Sequence, residues 1–251
     1  MQRFRAVPGM IRASAMALLL TLGWTPLSAV RAVTKLEPLP VGVMLPVSLK
    51  QRLDARHVRV GQQVTARLMQ RVPLADSSCL PSKAKVTGTV VAYDTSSLTL
   101  RFDRLSLKDQ QVPIHVKLVA AGHWLDVEET ERPLGATDRS PSNPANWTTK
   151  QIGGDEVYHS GGGSGPVYDQ YSERVGHVDA FGVYAPARTP GAAALAMGPF
   201  STTSRGLYDL PGMEIASPGG SESPIVLQLT SPKWQLHGQT ALLLETTAKP
   251  E

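Results

Sequence analysis

One cysteine, Cys79, stands in the 251 residues. A single thiol closes no intramolecular disulfide, so a folded domain here must rest on its apolar core alone. Cys79 lies among turn formers, Asp76-Ser77-Ser78-Cys79-Leu80-Pro81, with no base beside it to activate a nucleophile. Long hydrophobic runs are equally scarce. The only one of any length is Ala13 to Trp24, interrupted by Ser14, Thr21 and Gly23. At ~1.5 Å per residue it reaches ~18 Å, short of a ~30 Å hydrocarbon core, which excludes a polytopic membrane protein. Helix-compatible stretches are few, because 22 Gly and 20 Pro are spread along the chain; an all-helical fold is excluded. A hydrophobic content of 41% excludes a wholly disordered one. An excess of one charge is missing too. The formal +4 comes from Arg3, Arg5, Arg12 and Arg31, since residues 1–32 hold no acid, and the rest carries 21 Lys and Arg against 21 Asp and Glu. Without net charge there is no general attraction for phosphate backbones, so no nucleic-acid partner is expected.

Residues 1–32 read as a secretory signal peptide. Three arginines form its positive start, the apolar run follows, Pro26 breaks the helix, and Val30-Arg31-Ala32 offers small residues at the cleavage site. The expectation is cleavage after Ala32. The remaining chain would be periplasmic or secreted, with no membrane span.

From Leu36 to Gly122 the pattern has period two. Val64, Ala66 and Leu68 alternate with Thr65 and Arg67, and Val86, Gly88, Val90 and Ala92 with Thr87, Thr89 and Val91. Leu98, Leu100 and Phe102 alternate with Thr99, Arg101 and Asp103, and Val112, Ile114, Val116 and Leu118 with Pro113, His115 and Lys117. Such alternation puts one set on a core face and the other on a solvent face. Turn formers separate the runs at 76–78, 94–97 and 108–111. Val43 to Leu49, broken by Pro46, fits an edge strand or a bulged one. Between Leu125 and Glu222 the composition turns to Gly, Pro and Ser, with Gly161-Gly162-Gly163-Ser164-Gly165-Pro166 at its centre. This insertion is expected to be partly disordered, with ordered islands at 176–184 and 206–215 and a short alanine-rich helix at 190–197. Strand patterns return at 225–229, 234–236 and 240–246. The fold expected is all-β: a small antiparallel barrel or sandwich-like domain made of 33–124 and 223–251, interrupted by 125–222. Excising much of 135–170 should then cost little.

The core resembles the C-terminal periplasmic domain of the TrbI-like family of type IV secretion and conjugation components. The residues that carry the resemblance are Val60-Gly61-Gln62-Gln63-Val64-Thr65-Ala66-Arg67, then Leu80-Pro81-Ser82-Lys83-Ala84-Lys85-Val86-Thr87-Gly88 and Leu98-Thr99-Leu100-Arg101-Phe102-Asp103-Arg104-Leu105, closed by Leu236-His237-Gly238-Gln239-Thr240. The resemblance implies a barrel of that kind. Channel-building members also carry a cytoplasmic tail, a transmembrane helix and a helical pair for the outer membrane, and nothing of that pattern stands in this sequence.

No constellation for chemistry stands out, and no catalytic, cofactor or metal residue is assigned. The six histidines, His57, His115, His123, His159, His177 and His237, include no pair at the i, i+4 spacing of a helical zinc motif. Ser82-Lys83-Ala84-Lys85 matches a Ser-x-x-Lys motif, but that chemistry needs a helix and the tetrad leads into a strand. Gly161 to Gly165 lacks the Lys-Ser/Thr of a phosphate-binding loop. Asp126, Glu128, Glu129 and Glu131 read as a solvated charge run rather than a Ca²⁺ loop, and Asn146-Trp147-Thr148 is a formal glycosylation sequon only. Asp155, Glu156, His159, Ser164 and His177 lie among glycines that hold no fixed geometry. The function expected is an exported, non-enzymatic interaction or scaffold component of the cell envelope, with envelope proteins or its own copies as partners. The alternative is an extracytoplasmic hydrolase or glycan-binding module, its site formed by the insertion with Trp124, Trp147, Tyr158, Tyr168 or Tyr171.

Overall fold

Alternation divides the side chains as the pattern requires. In β3 (Gln63–Leu68) and β6 (Lys85–Tyr93), Val64, Ala66, Leu68, Val86 and Val90 are buried while Gln63, Arg67 and Lys85 are exposed. The computed structural model describes residues 38–108, 110–123, 125–127, 146–154, 156–160, 164–169, 171–216 and 224–249. These belong to one unit, Leu36–Glu251. They are almost entirely strand, with a single helical turn at 125–127, and no helix among them is long and apolar enough to cross a membrane.

The main sheet is a nearly closed barrel. Its order begins with β16 (Gly206–Tyr208), β9 (Val116–Gly122), β20 (Ala241–Thr246) and β1 (Met44–Leu49), and continues through β3, β6, β7 (Ser97–Leu107), β18 (Ile225–Leu229) and β17 (Met213–Ile215). All neighbours are antiparallel except β16 on β9. β7 is long enough for β18 to pair with its first half and β8 (Gln110–Pro113) with its second. The two end strands, β16 and β17, are consecutive in the chain. Only Asp209 to Gly212 separate them, and Leu210 from that link is buried with the barrel core. The barrel thus takes two strands from within the stretch read as insertion, at the second of its expected islands. Short ladders close the rest: β2 (Leu53–Asp54) with β19 (Gln235–Leu236) across one end, and β4 (Val72–Pro73) with β5 (Cys79–Leu80).

Val43 to Leu49 is not an edge strand. β1 sits between β20 and β3. Pro46 is tolerated there because its carbonyl accepts from Met69 N–H at 2.9 Å, just past the end of the β3 ladder at Val47–Leu68. The missing N–H points the same way as the carbonyl, toward Met69, so the β20 ladder is untouched and the only bond forgone lies at the end of the β3 side.

A second sheet is a six-stranded antiparallel meander: β10 (Asn146–Lys150), β11 (Glu156–Ser160), β12 (Gly165–Tyr168), β13 (Arg174–Asp179), β14 (Gly182–Ala185) and β15 (Leu195–Ala196). It holds the other expected island. The helix expected at 190–197 is absent: this stretch is a turn followed by β15, whose register on β14 runs Tyr184–Ala196 and Ala185–Leu195. Alanine's helix preference yields here to Pro190 and Gly191, the latter at φ +80°. Ile152, Ala185, Met197 and Phe200 pack against Met44, Val119, Ala120, Ala241 and Leu243, the outward side chains of β1, β9 and β20. Gly122 makes room for Ile152, whose Cδ1 lies 2.6 Å from where a β-carbon would stand. Those three strands are therefore buried on both faces. Excising 135–170 would remove three strands and Ile152, so the small cost expected for that deletion does not follow from this structure.

Candidate functional site

Aspartates organise turns in both sheets. Asp54, Asp76, Asp94, Asp169 and Asp179 each accept on Oδ1 the N–H two residues ahead, at 2.7–3.0 Å. At Asp94 the hydroxyl and N–H of Ser96, with further bonds from Ser97, bring the carboxyl down to about 2.

The richest group lies where β2 and β19 close one barrel end. Asp54 Oδ1 accepts from the N–H groups of Arg56 and His57 and lies 2.8 Å from His57 Nδ1, while Oδ2 lies 3.0 Å from Arg52 Nε. Burial works to raise this carboxyl, but the hydrogen bonds from His57 and Arg56 and the charge of Arg52 outweigh it and hold it below its ordinary value. Beside this turn the rings of His123 and His237 meet edge to face at 5.2 Å, and Gln235 Nε2 donates to His237 Nε2. Burial, then His123 and Arg52, hold the His237 imidazole below its ordinary value. An Asp–His pair orients an imidazole as a general base requires. Here, however, the His57 side chain is 79% exposed on a surface turn, and its partner sits three residues away in the same turn. The arrangement is that of a pinned loop.

The other residues singled out from the sequence are scattered. Cys79 is exposed on β5. Ser82 and Lys83 form a turn, Lys83 at φ +65°, and Lys85 opens β6, so the Ser-x-x-Lys tetrad has no helix. His115 lies between β8 and β9, its carbonyl accepting from Thr247 N–H. His159 is on β11 opposite Trp147 and Val167, while His177 stacks on Tyr184 at 5.0 Å, and Ser164 lies exposed just before β12. Burial and then Asp179 push the Tyr184 phenol up to about 12. Asp126 is in the helical turn. Residues 1–37, Trp124, Glu128, Glu129, Glu131, Asp155 and Gly161 to Gly163 lie outside the described residues. Among the described residues, no group of three or more His, Cys, Asp or Glu is placed to hold a metal ion.

Three features of the second sheet's seat on the barrel escaped the sequence reading. Gln70, 5% exposed, donates to Val183 O and accepts from the N–H groups of Val183 and Gly198 at 2.8–3.1 Å, a backbone-like clamp. Glu245 pairs with Arg188 from the second layer and with Lys117 on β9. Ser204, fully buried, donates to Ile152 O and shares a hydroxyl cluster with Ser201 and Thr203. Beside Arg188 a groove of about 280 Å³ opens between Pro40–Met44, Val72–Pro73 and Ala192–Leu195. Inside the barrel a small cavity is lined by apolar side chains, Leu100, Phe102, Leu118, Ile225, Leu227 and Leu242 among them.

Compared with models of protein families, with curated proteins and with solved structures, the chain matches none of them.

Proposed function

We propose that this is an exported, non-enzymatic β-barrel protein that acts as an interaction or scaffold component of the cell envelope. The resemblance of 60–67, 80–88, 98–105 and 236–240 to the TrbI-like periplasmic domain points to an envelope complex as the setting. The observation that carries the reading is how the barrel spends its side chains. Its interior is packed mainly with apolar side chains, one flank is covered by the second sheet, and its aspartates are engaged in turns. What remains on offer is surface, and surface is the working part of a scaffold. The leader supports export, since its charge, apolar run and small-residue site coincide.

The test is to express the full chain with a C-terminal tag in a bacterial host and fractionate the cells. The expected product lies in the periplasmic or secreted fraction and begins at Val33. Cytoplasmic protein that still begins at Met1 would overturn the exported reading.

A further inference from the structure

Net neutrality conceals a strong separation of charge. Residues 33–124 carry thirteen Lys and Arg against six Asp and Glu, and residues 125–222 carry six against thirteen. The strand register shows where part of the positive excess goes. On the outward face of β3, β6 and β7, one row runs Arg67, Lys85, Ser106, the next Thr65, Thr87, Arg104, and the next Gln63, Thr89, Arg101. A bulge between Thr87 and Gly88 leaves Asp103 as the extra residue on β7, so Arg101 and Arg104 both face outward although three positions apart. All four cations are exposed, and none forms an ion pair among the described residues, with Asp103 or any other acid.

Arg67 stands directly opposite Lys85. Like charges in that position oppose strand pairing. A row that works against its own sheet is what a binding surface looks like when the compensating charge comes from outside. With strands ~4.8 Å apart and same-face residues ~6.8 Å apart, the four cations extend over roughly 15–20 Å, interleaved with half-exposed threonines.

We infer that this face binds an acidic polysaccharide, a carboxylated glycan whose uronates pair with Arg67, Lys85, Arg101 and Arg104 while sugar hydroxyls meet Thr65, Thr87 and Thr89. An anionic lipid surface and a nucleic acid fit less well. The large exposed apolar side chains, Val41, Val60, Leu125, Tyr171 and Phe181, all lie off these strands, so nothing here enters a bilayer. No aromatic ring lies on the face for bases to stack on; Tyr93 at the end of β6 packs against Trp234. A broad sheet face also has no helix or ribbon to enter a duplex groove. The inference adds a ligand class to the proposed scaffold role and does not depend on export, because binding is read on purified protein.

The experiment measures the binding of polygalacturonate oligomers to the purified protein at low and high salt, with neutral dextran, duplex DNA and phosphatidylglycerol vesicles alongside. Binding to polygalacturonate that weakens with salt is expected, as is a loss of about tenfold or more in R67Q/K85Q/R101Q/R104Q. Should four substitutions unfold the barrel, R101Q/R104Q on the single strand β7 gives the same reading. The control K233Q/K249Q, two exposed lysines off this face, keeps its affinity. No binding, an equal loss in the control, or equal affinity for DNA or vesicles would each overturn the inference.

Discussion

Carboxylates in this protein are placed by the turns they close and the ion pairs they join. Five aspartates accept a backbone N–H two residues ahead, which is why acids spread along the sequence do not gather in one cleft. Glu245 is the exception, joining the second layer to the barrel through Arg188. Burial works to raise its carboxyl, but the hydrogen bond and charge of Arg188, helped by Lys117, hold it below its ordinary 4.5. A carboxyl whose folded value is depressed binds fewer protons folded than unfolded. Its contribution is therefore complete above 4.5 and lost as pH falls through the lower folded value. Wild type should accordingly be more stable than E245Q at pH 7, with the gap closing as pH falls below 4.5. Urea unfolding of both proteins across that range checks this. A gap that stays constant would show that Glu245 is not the titrating group.

Strand by strand, what could be read from the sequence depended on length and on how many faces are buried. β3 and β18 alternate and lie where the alternation puts them, because one face of each meets the bore and the other meets water. β6 and β7 do so until the bulge after Val90, beyond which Ala92, expected on the core face, is exposed and Thr99, expected outside, is buried. β16 and β17, three residues each, are too short to carry a period. The second sheet was hidden by glycine, which in Gly176 and Gly182 marks close approach to Tyr184 and Gln70 rather than looseness. The clearest unread signal is in Val119-Ala120-Ala121 and Ala241-Leu242-Leu243-Leu244. Unbroken apolar runs mark strands covered on both sides, and these neighbours form the flank under the second sheet. Gln70 gave no signal at all, since its role depends on partners more than a hundred residues away. The covered flank makes a prediction at Leu243, which alternation would place outward. Being fully buried, Leu243→Ala should cost about 2–5 kcal/mol, whereas Thr89→Ala on the uncovered flank should stay within about 0.5 kcal/mol. Denaturant unfolding of both variants decides; equal small effects would mean that the second sheet does not seal that flank.

At the scale of the whole molecule, closure comes from pairing strands far apart in sequence. β1 pairs along its length with β20, from Met44–Glu245 to Ser48–Ala241, and β9 has only β20 and β16 as ladder partners. β7 is flanked beyond β6 by β18 and β8. A fragment of residues 33–124 would therefore keep β3 and β6 fully paired, but it would strip β9 of both neighbours and β1 of one. It would also open the bore between β7 and β9, exposing Leu98, Leu100, Phe102 and Leu118, which are buried by the strands and links that follow. Open edges and an uncovered apolar face leave too little burial to offset the entropy of ordering the strands. Adding residues 223–251 restores β18 and β20 but leaves the seam without β16, β17 and Leu210. The expected outcome is graded: 33–124 lacks a cooperative urea transition, and cooperativity appears only when 206–216 and 223–251 are both present. A sharp transition with native-like near-ultraviolet dichroism from 33–124 alone would show that the barrel half is self-sufficient, and that the later strands are additions to a domain already complete.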